Sequence, residues 1–286
     1  MLTAQSRQAG LSFIELLISM VIGIVLLGGM LTVYMAGKRS YSDGEQLTMM
    51  DESARNAIDI LKRHLEHAGY ASVTGVPVTD YVLTPNTLIV GKSVNSSNNV
   101  QKSADGSGSG GDIVGIRFKA DSRIHTDCAE NNLENNLICT GLVENEVCAP
   151  ILSETDSLIY NSFLVKVNDE KNTVGDKIPL LYCQGSLGPS VSVVQNIENM
   201  QVNYGVDTNN DKVADRYLTA TQLNTEGLWN KIISIQVALL VRSRDPFYSS
   251  AKQESFTLLD KTLSSFNDRY RRAVYTTTIR LRNLEG

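Results

Sequence analysis

Histidine is scarce in this chain, with three residues in 286, and only His125 lies beyond residue 67. A catalytic set built on imidazole therefore has little to draw on. Neither G-x-S-x-G nor H-E-x-x-H occurs. "VGKS" (90–93) lacks the earlier glycine of a phosphate-binding loop, because Asn86 stands there. No catalytic residue is expected, and an anchored periplasmic enzyme is kept only as a remote alternative. Basic blocks are missing too: 26 Lys and Arg face 31 Asp and Glu, a formal charge of −5 with no nucleic-acid footprint. Cysteine is absent from the first 127 residues. The four that follow, Cys128, Cys139, Cys148 and Cys183, form no C-x-x-C pair.

The most telling absence is local. From Leu16 to Gly37 there is no charge over 22 residues. At 1.5 Å rise per residue such a helix crosses a bilayer core of about 30 Å. A cleaved secretory signal would have an apolar region of only about 7 to 15 residues and a small-x-small site. Here the run is longer, and Tyr34 spoils the only tempting site, after Ala36. The run is therefore expected to stay in the mature protein as an anchor. Arg7 precedes it and Lys38 and Arg39 follow, which orients it poorly by charge. An even cysteine count behind an export segment reads as disulfides in an oxidising compartment, so the C-terminal bulk is expected outside the cytoplasm.

Glu15 stands five residues after Gly10, at the start of this run. A carboxylate deep in a bilayer costs roughly 2.5 to 3.5 kcal/mol, less near the end of a span. It could simply sit at headgroup level. A cut after Gly10 gives it a sharper role. Leu11 would become the new amino terminus and Glu15 the fifth residue of a helix, complementing the dipole and offering a counter-ion to a neighbour's ammonium.

Past the span, Leu47, Met50, Ala54, Ile58, Leu61, Leu65 and Ala68 recur at three- and four-residue spacing. This predicts a continuing amphipathic helix ended by Gly69, on the order of 85 Å from Leu11 to Ala68. Gly28, Gly29, Gly37 and Gly44 are places where it could bend or melt. His64 and His67, at i and i+3, read as ordinary surface histidines in a charged, solvent-facing context rather than half a metal site.

From Ala71 on, strand-like runs dominate. They are "TLIVGK" (87–92), "DIVGIRFKA" (112–120), "SFLVKV" (162–167), "IPLLYC" (178–183), "IENMQVNYGV" (197–206), "IISIQVALLVRS" (232–243) and "YTTTIRLRN" (275–283). The Gly/Ser stretch 95–111 reads as a mobile loop, and the segment from Asp245 to Val274 as a long connection. The expected fold class is α+β: a long N-terminal helix, its first half membrane-spanning, packed on a mostly antiparallel β domain. Its parts are a leader (1–10), a transmembrane half-helix (11–37), an amphipathic half-helix (38–69) and a disulfide-containing β domain (70–286). Of three cysteine connectivities the nested one is preferred, Cys128–Cys183 around Cys139–Cys148. Four buried thiols or zinc are the alternatives, although the spacings suit no zinc ribbon.

One further motif carries chemistry. Asp207, Asn209, Asp211 and Asp215 follow D-x-N-x-D-x-x-x-D, and the carbonyl of Val213 could add an oxygen. Alternating oxygen donors can wrap a hard cation such as calcium. An EF-hand would need Gly and Glu where Lys212 and Leu218 stand, so the competing reading is a polar turn. No cofactor is required, and Ca2+ is the one candidate.

"AGLSFIELLISMVIGIVLLGG" resembles the class III leader of type IV prepilins and type II secretion pseudopilins, with Leu11 where phenylalanine or methionine is commoner. "HLEHAGY", the "TDC…LYC" pair, and "NMQVNYGVDTNNDKVADRY" followed by Trp229 and "IISIQVALLVRSR" are similar to PilW-type minor pilins. The resemblance implies a pilin-like fold, cleavage between Gly10 and Leu11 by a prepilin peptidase, N-methylation of Leu11, and Glu15 guiding docking into a filament. It also implies a structural subunit that primes type IV pilus assembly and sits at or near the tip. Its partners would be other minor pilins, the major pilin, the inner-membrane assembly platform and a tip adhesin. Its location would be the inner membrane, with a periplasmic C-terminal domain, before it enters the pilus. A J-like minor pseudopilin of type II secretion is the alternative.

Overall fold

A helix starts where the polar leader gives way to the apolar run. The carbonyl of Ser12 accepts the N–H of Glu15 (2.9 Å) and of Leu16 (3.2 Å), closing the first turn of α1 (Phe13–Leu65). The computed structural model describes residues 12–71, 78, 80–89, 100–106, 110–120, 124–133 and 158–283. The chain divides into two compact units, residues 1–47 and 48–286.

The described part of the first unit is helix. Its large apolar side chains have no interior to enter: Phe13 is 78% exposed, Leu27 67% and Met30 70%. None of its most apolar window is buried, and the helix is long and apolar enough to cross a membrane. The hydroxyls in this stretch are absorbed by the backbone, Ser19 Oγ donating to the Glu15 carbonyl and Thr32 Oγ1 to the Gly29 carbonyl, each at 2.8 Å. In a medium without water such internal bonds keep a polar side chain inexpensive. The helix runs unbroken through Gly28, Gly29, Gly37 and Gly44, so none of the four is a break.

The second unit begins with the last turns of α1. Met50, Ala54, Ala57, Leu61, Leu65 and Ala68 are buried on one face, as the spacing predicts. Gly69 (φ 75°) ends the turn and donates its N–H to the Arg117 carbonyl at 3.1 Å. A Cβ there would lie 3.0 Å from the Asn283 carbonyl oxygen, so glycine suits both the dihedral and the space.

Two antiparallel four-stranded sheets follow. The first has the order β1 (Val114–Lys119), β2 (Leu158–Lys171), β3 (Lys177–Gly185), β4 (Val191–Gln195). The second runs β10 (Arg272–Arg280), β7 (Ile232–Arg242), β5 (Ile197–Val206), β6 (Arg216–Leu218). The chain steps from one to the other at Asn196. Its left-handed φ of 69° is one that asparagine tolerates. Its N–H reaches the Pro179 carbonyl in β3, while its own carbonyl accepts from Arg242 in β7. β5 and β7 pair through Val202 and Val237 and are buried almost throughout, β7 mostly with apolar residues and β5 with Asn199, Gln201 and Asn203 alternating with Met200, Val202 and Tyr204.

Four expectations need correction. The 245–274 segment is no bare connection: β8 (Lys252–Leu258) and β9 (Lys261–Asp268) form a hairpin. Phe256, Leu263 and Phe266 of that hairpin pack on Ala238 and Leu240 of β7. The short strands β4 and β6 and the helix α2 (Ala220–Glu226) also escape the periodicity reading. Within 87–92, residues 87–89 form no strand, and 90–92 lie outside the described residues. Finally, the described parts of 95–111 are packed rather than loose. Gly111 (φ 81°) lies so close to β5 that a Cβ would come within 2.1 Å of the Met200 carbonyl oxygen. Asp112 fixes this crossing, accepting the N–H of Val202 (2.8 Å) and of Gly106 (2.7 Å).

Candidate functional site

The residues singled out above fall in three places. Gly10 and Leu11, the cleavage and methylation positions, lie outside the described residues. Glu15 lies in the first turn of α1, where the helix presents unsatisfied N–H groups and a partial positive charge. It is exposed, and its sequence neighbours Phe13, Ile14, Leu16 and Leu17 are exposed with it. No side chain among the described residues pairs with its carboxylate. It is a single acid on an otherwise apolar surface, a placement that makes sense when a cation arrives from elsewhere.

The second place is the cysteine region. Cys128 and Cys183 form a disulfide with Cα atoms 5.9 Å apart, joining the 124–133 segment to β3. Cys139 and Cys148 lie outside the described residues, so the inner pair of the nested arrangement is unaddressed. The bond has polar support. Asp127, 1% exposed, accepts the N–H of Ala129 (2.9 Å), Asn131 (3.0 Å) and Leu187 (3.0 Å). Asn161 Oδ1 accepts the Cys128 N–H at 3.0 Å. A buried carboxylate with such donors is satisfied rather than stranded. Sequence reasoning passed over Asp127. The acid directly before the cysteine in "TDC" was the available signal.

The third place is the loop between β5 and β6. Asp207 is buried and turns its carboxylate onto the loop itself: Oδ1 accepts from the N–H of Asn210 (2.6 Å) and Asp211 (3.3 Å), and Oδ2 from Lys212 (2.8 Å). Asn209 Oδ1 takes the Asp211 N–H (2.9 Å) and Asp211 Oδ1 the Val213 N–H (2.8 Å). Asp215 Oδ2 accepts from the N–H (2.7 Å) and hydroxyl (2.6 Å) of Thr208, and these hydrogen bonds hold its carboxyl below the usual range. Two cations close the outside. Lys231 Nζ bonds Asn210 Oδ1 at 2.8 Å, and Arg280 Nη2 bonds the Lys212 carbonyl at 3.3 Å. Asn210 and Lys212 both have positive φ, which lets successive N–H groups converge on one carboxylate. The carboxylates are thus spent on neighbouring donors. Among the described residues no group of three or more His, Cys, Asp or Glu converges as a metal site.

The histidine pair is not solvent-facing as expected. The His64 ring packs against Phe163 of β2 (centroids 5.7 Å) and the His67 ring against Phe118 of β1 (5.6 Å). Burial, then the neighbouring His67 and Arg63, push the His64 imidazole down to about 4. Burial lowers His67 as well, against the opposing pull of Glu66. Both act as polar-edged parts of the helix–sheet interface.

A buried ionic cluster was also missed. The Arg272 side chain is 2% exposed; its Nε meets Glu198 Oε2 at 2.5 Å and its Nη2 meets Asp268 Oδ2 at 2.7 Å. The guanidinium carbon lies 4.0 Å from the Phe266 ring centroid. This ties the β8–β9 hairpin to the second sheet. Burial would raise the Asp268 carboxyl, but hydrogen bonds from Arg272 and from the Tyr270 N–H outweigh it and lower it.

Comparison with known proteins bears on both ends of the chain. The family model of the prokaryotic N-terminal methylation motif matches residues 5–31, which contain Gly10, Leu11 and Glu15. The family model of type IV pilus-assembly protein W matches residues 163–283, from β2 through β10. A type IV-like pilin from Thermus thermophilus aligns over 84% of this chain and 97% of its own length, at 16% identity and a TM-score of 0.37. No curated protein matches. Pilin-like proteins are structural rather than enzymatic. The chain is thus similar to the prepilin methylation motif near its N-terminus and to the type IV pilus-assembly protein W family over its last sheet-forming part.

Proposed function

We propose that this chain is a minor pilin that helps prime type IV pilus assembly and is incorporated at or near the pilus tip. The observation that carries the reading is the placement of Glu15. A lone exposed carboxylate stands in the first turn of a bare apolar helix, inside the matched methylation motif. Cutting after Gly10 by a prepilin peptidase would make Leu11 the methylated amino terminus and bring Glu15 within a turn of it. In a low-dielectric filament core, pairing Glu15 with a neighbour's ammonium offsets the desolvation of both groups. Before assembly the helix would anchor the chain in the inner membrane with residues 48–286 in the periplasm. There a disulfide such as Cys128–Cys183 persists. Other minor pilins, the major pilin, the assembly platform and a tip adhesin are the expected partners.

The test has two parts. Intact mass and N-terminal sequencing of membrane-extracted protein should give methylated Leu11 when the peptidase is present and Met1 when it is deleted. Met1 in both strains removes the pilin reading. Glu15→Ala should be processed normally yet be depleted from sheared pili; undiminished incorporation would remove the counter-ion role.

A further inference from the structure

The edges of the two sheets are not treated alike. The outer edge of β1 is closed by the chain that precedes it. Gly69 and Leu83 donate N–H groups to the carbonyls of Arg117 and Gly115, at 3.1 and 2.8 Å. Arg117 and Lys119 donate theirs to the carbonyls of Tyr81 and Tyr70, at 2.9 and 2.8 Å. Where β6 does not reach, β5 is closed by residues 110–112. The Asp112 N–H meets the Met200 carbonyl at 2.7 Å, and the Met200 N–H meets that of Gly110 at 3.2 Å. β4 is five residues long, and its pairing with β3 shifts register between Leu181 and Tyr182. β6 is only three residues long. Covering, shortening and irregular register all blunt an edge.

Among the described residues, none of these devices protects β10. It pairs with β7 from Arg272 to Arg280 without a shift in register. From Ala273 to Ile279 it carries no charge, proline or glycine. Hydrogen bonds at its two ends fix the phase of the ladder. Ser243 donates its N–H to the Arg271 carbonyl at 2.8 Å, and Leu281 donates to that of Ile233 at 2.9 Å. Bonded and unbonded residue pairs alternate in an antiparallel ladder. Ala273, Tyr275, Thr277 and Ile279 therefore spend their backbone groups on β7, while Val274, Thr276, Thr278 and Arg280 point theirs away from it. Among the described residues no hydrogen bond reaches those outward backbone groups. Thr276, Thr278 and Arg280 are exposed.

Charge decides between occupants. Two copies of β10, paired antiparallel through all their outward residues, would centre on Thr276 and set Arg280 opposite Arg272 at both ends. Like charges directly opposite destabilise a ladder. Arg280 would gain no free acid there, since Glu198 and Asp268 are already bound to Arg272. Its own guanidinium bonds the Lys212 carbonyl at 3.3 Å and forms no ion pair among the described residues. A foreign strand with an acid at that position supplies what a second copy does not.

We infer that β10 accepts an extended segment of a second protein as a further strand of its sheet, through the backbone groups of Thr276 and Thr278 and an acid set against Arg280. The inference stands apart from the assembly reading, since it concerns one edge of the second unit. Residue-level amide hydrogen exchange on the full chain in a non-ionic detergent reads the edge directly. In the free chain the amides of Thr276 and Thr278 should exchange freely, while those of Thr277 and Ile279 are protected. The probe is a fluorescein-labelled peptide of alternating threonine and valine, as long as β10 and ended by glutamate. At millimolar concentration it should protect Thr276 and Thr278. A copy N-methylated at every residue should not bind, and a copy ended by glutamine should bind about threefold less tightly by anisotropy. Thr276→Pro removes an outward N–H and should weaken binding about tenfold with little change in the melting curve. Thr277→Pro removes a bond to β7 and should lower the melting temperature. Protection of Thr276 and Thr278 in the free chain at every concentration overturns the proposal. So does a peptide that protects neither amide, or that binds Thr276→Pro as tightly as wild type. Protection that grows with chain concentration and accompanies a dimer mass overturns it in favour of a second copy.

Discussion

The apolar residues of the first unit and those of the second are the same kinds of side chain put to opposite uses. Between Phe13 and Met35 the leucines, isoleucines and valines are exposed, most by more than half their surface. From Met50 on, the α1 residues at helical spacing are buried, and β2, β5 and β7 bury theirs almost completely. At about 25 cal/mol per Å2 an exposed stripe of that size is untenable in water. The first unit therefore takes its solvent from lipid or from other helices. The second makes its own dry interior and has to satisfy the polar groups it encloses. Substitutions should respond accordingly: large losses of folding stability where a buried polar group loses its partner, and little where there is no interior to disturb.

The largest loss is expected at Arg272. Replacing it with alanine leaves Asp268 without its cation and Glu198 with only the more distant Arg242, 3.7 Å away. Breaking a buried pair in this way costs about 3 to 5 kcal/mol. A urea melt followed by tryptophan fluorescence, with Trp229 as the reporter, measures it. A shift under about 1 kcal/mol would mean that water reaches the cluster.

His64 gives the next effect, and its sign is fixed by linkage. Its folded value is lowered to about 4 from an unfolded 6.5, so the unfolded chain binds the extra proton between those values. Stability contributed by the neutral ring is fully present above pH 6.5 and is lost as pH falls towards 4, by about 3 kcal/mol from this group. His64→Phe should flatten that limb of the pH–stability curve and leave the region above pH 7 nearly unchanged. An identical slope in the variant would assign the acid sensitivity to carboxylates instead.

A smaller effect is expected at Asp207. Alanine there strands the N–H groups of Asn210, Asp211 and Lys212 in a partly buried loop, costing about 1 to 3 kcal/mol. Because the loop closes on its own donors, chelation by EDTA should leave the wild-type melting temperature unmoved. A rise on adding millimolar calcium that Asp207→Ala abolishes would instead place the ion in this loop.

The division between the units also sorts what could be read in advance. The exposed apolar half of α1, the apolar stripe ending at Gly69, and β5 and β7 were legible because each has one strong period or an unbroken apolar run. β5 falls on the predicted residues 197–206. The β8–β9 hairpin was not legible. Its strands alternate weakly, with Glu254, Thr257, Ser264 and Asn267 among few large apolar residues, and it is held by two phenylalanines and a salt bridge. The Gly/Ser stretch misled for a different reason. Glycine composition reads as freedom, yet Gly111 is there because β5 approaches within a distance that no Cβ permits. Of the candidate sites, the Cys128–Cys183 pairing could be anticipated from residue order, whereas the closing of the Asp loop on its own N–H groups could not. The inward turn of His64 could not, since it depends on which residues β2 places opposite the helix.

The smallest expected effect lies in the first unit. A Cβ added at Gly28 meets nothing within 4 Å, and the residue is exposed in mid-helix. In an ordinary helix interior Gly→Ala gains up to about 1 kcal/mol of propensity and fills no space that was taken. Gly28→Ala should therefore leave the urea midpoint of the second unit within about 0.5 kcal/mol of wild type. Incorporation into pili is a separate readout with a separate cause. Helices in an apolar medium associate by close packing over small residues, so a methyl group that is harmless to the isolated chain would still obstruct a neighbour. An unmoved midpoint with reduced incorporation would show that Gly28 is shaped for another helix. A lowered midpoint would show that the first unit has an interior after all, and the contrast between the two units would then have to be redrawn.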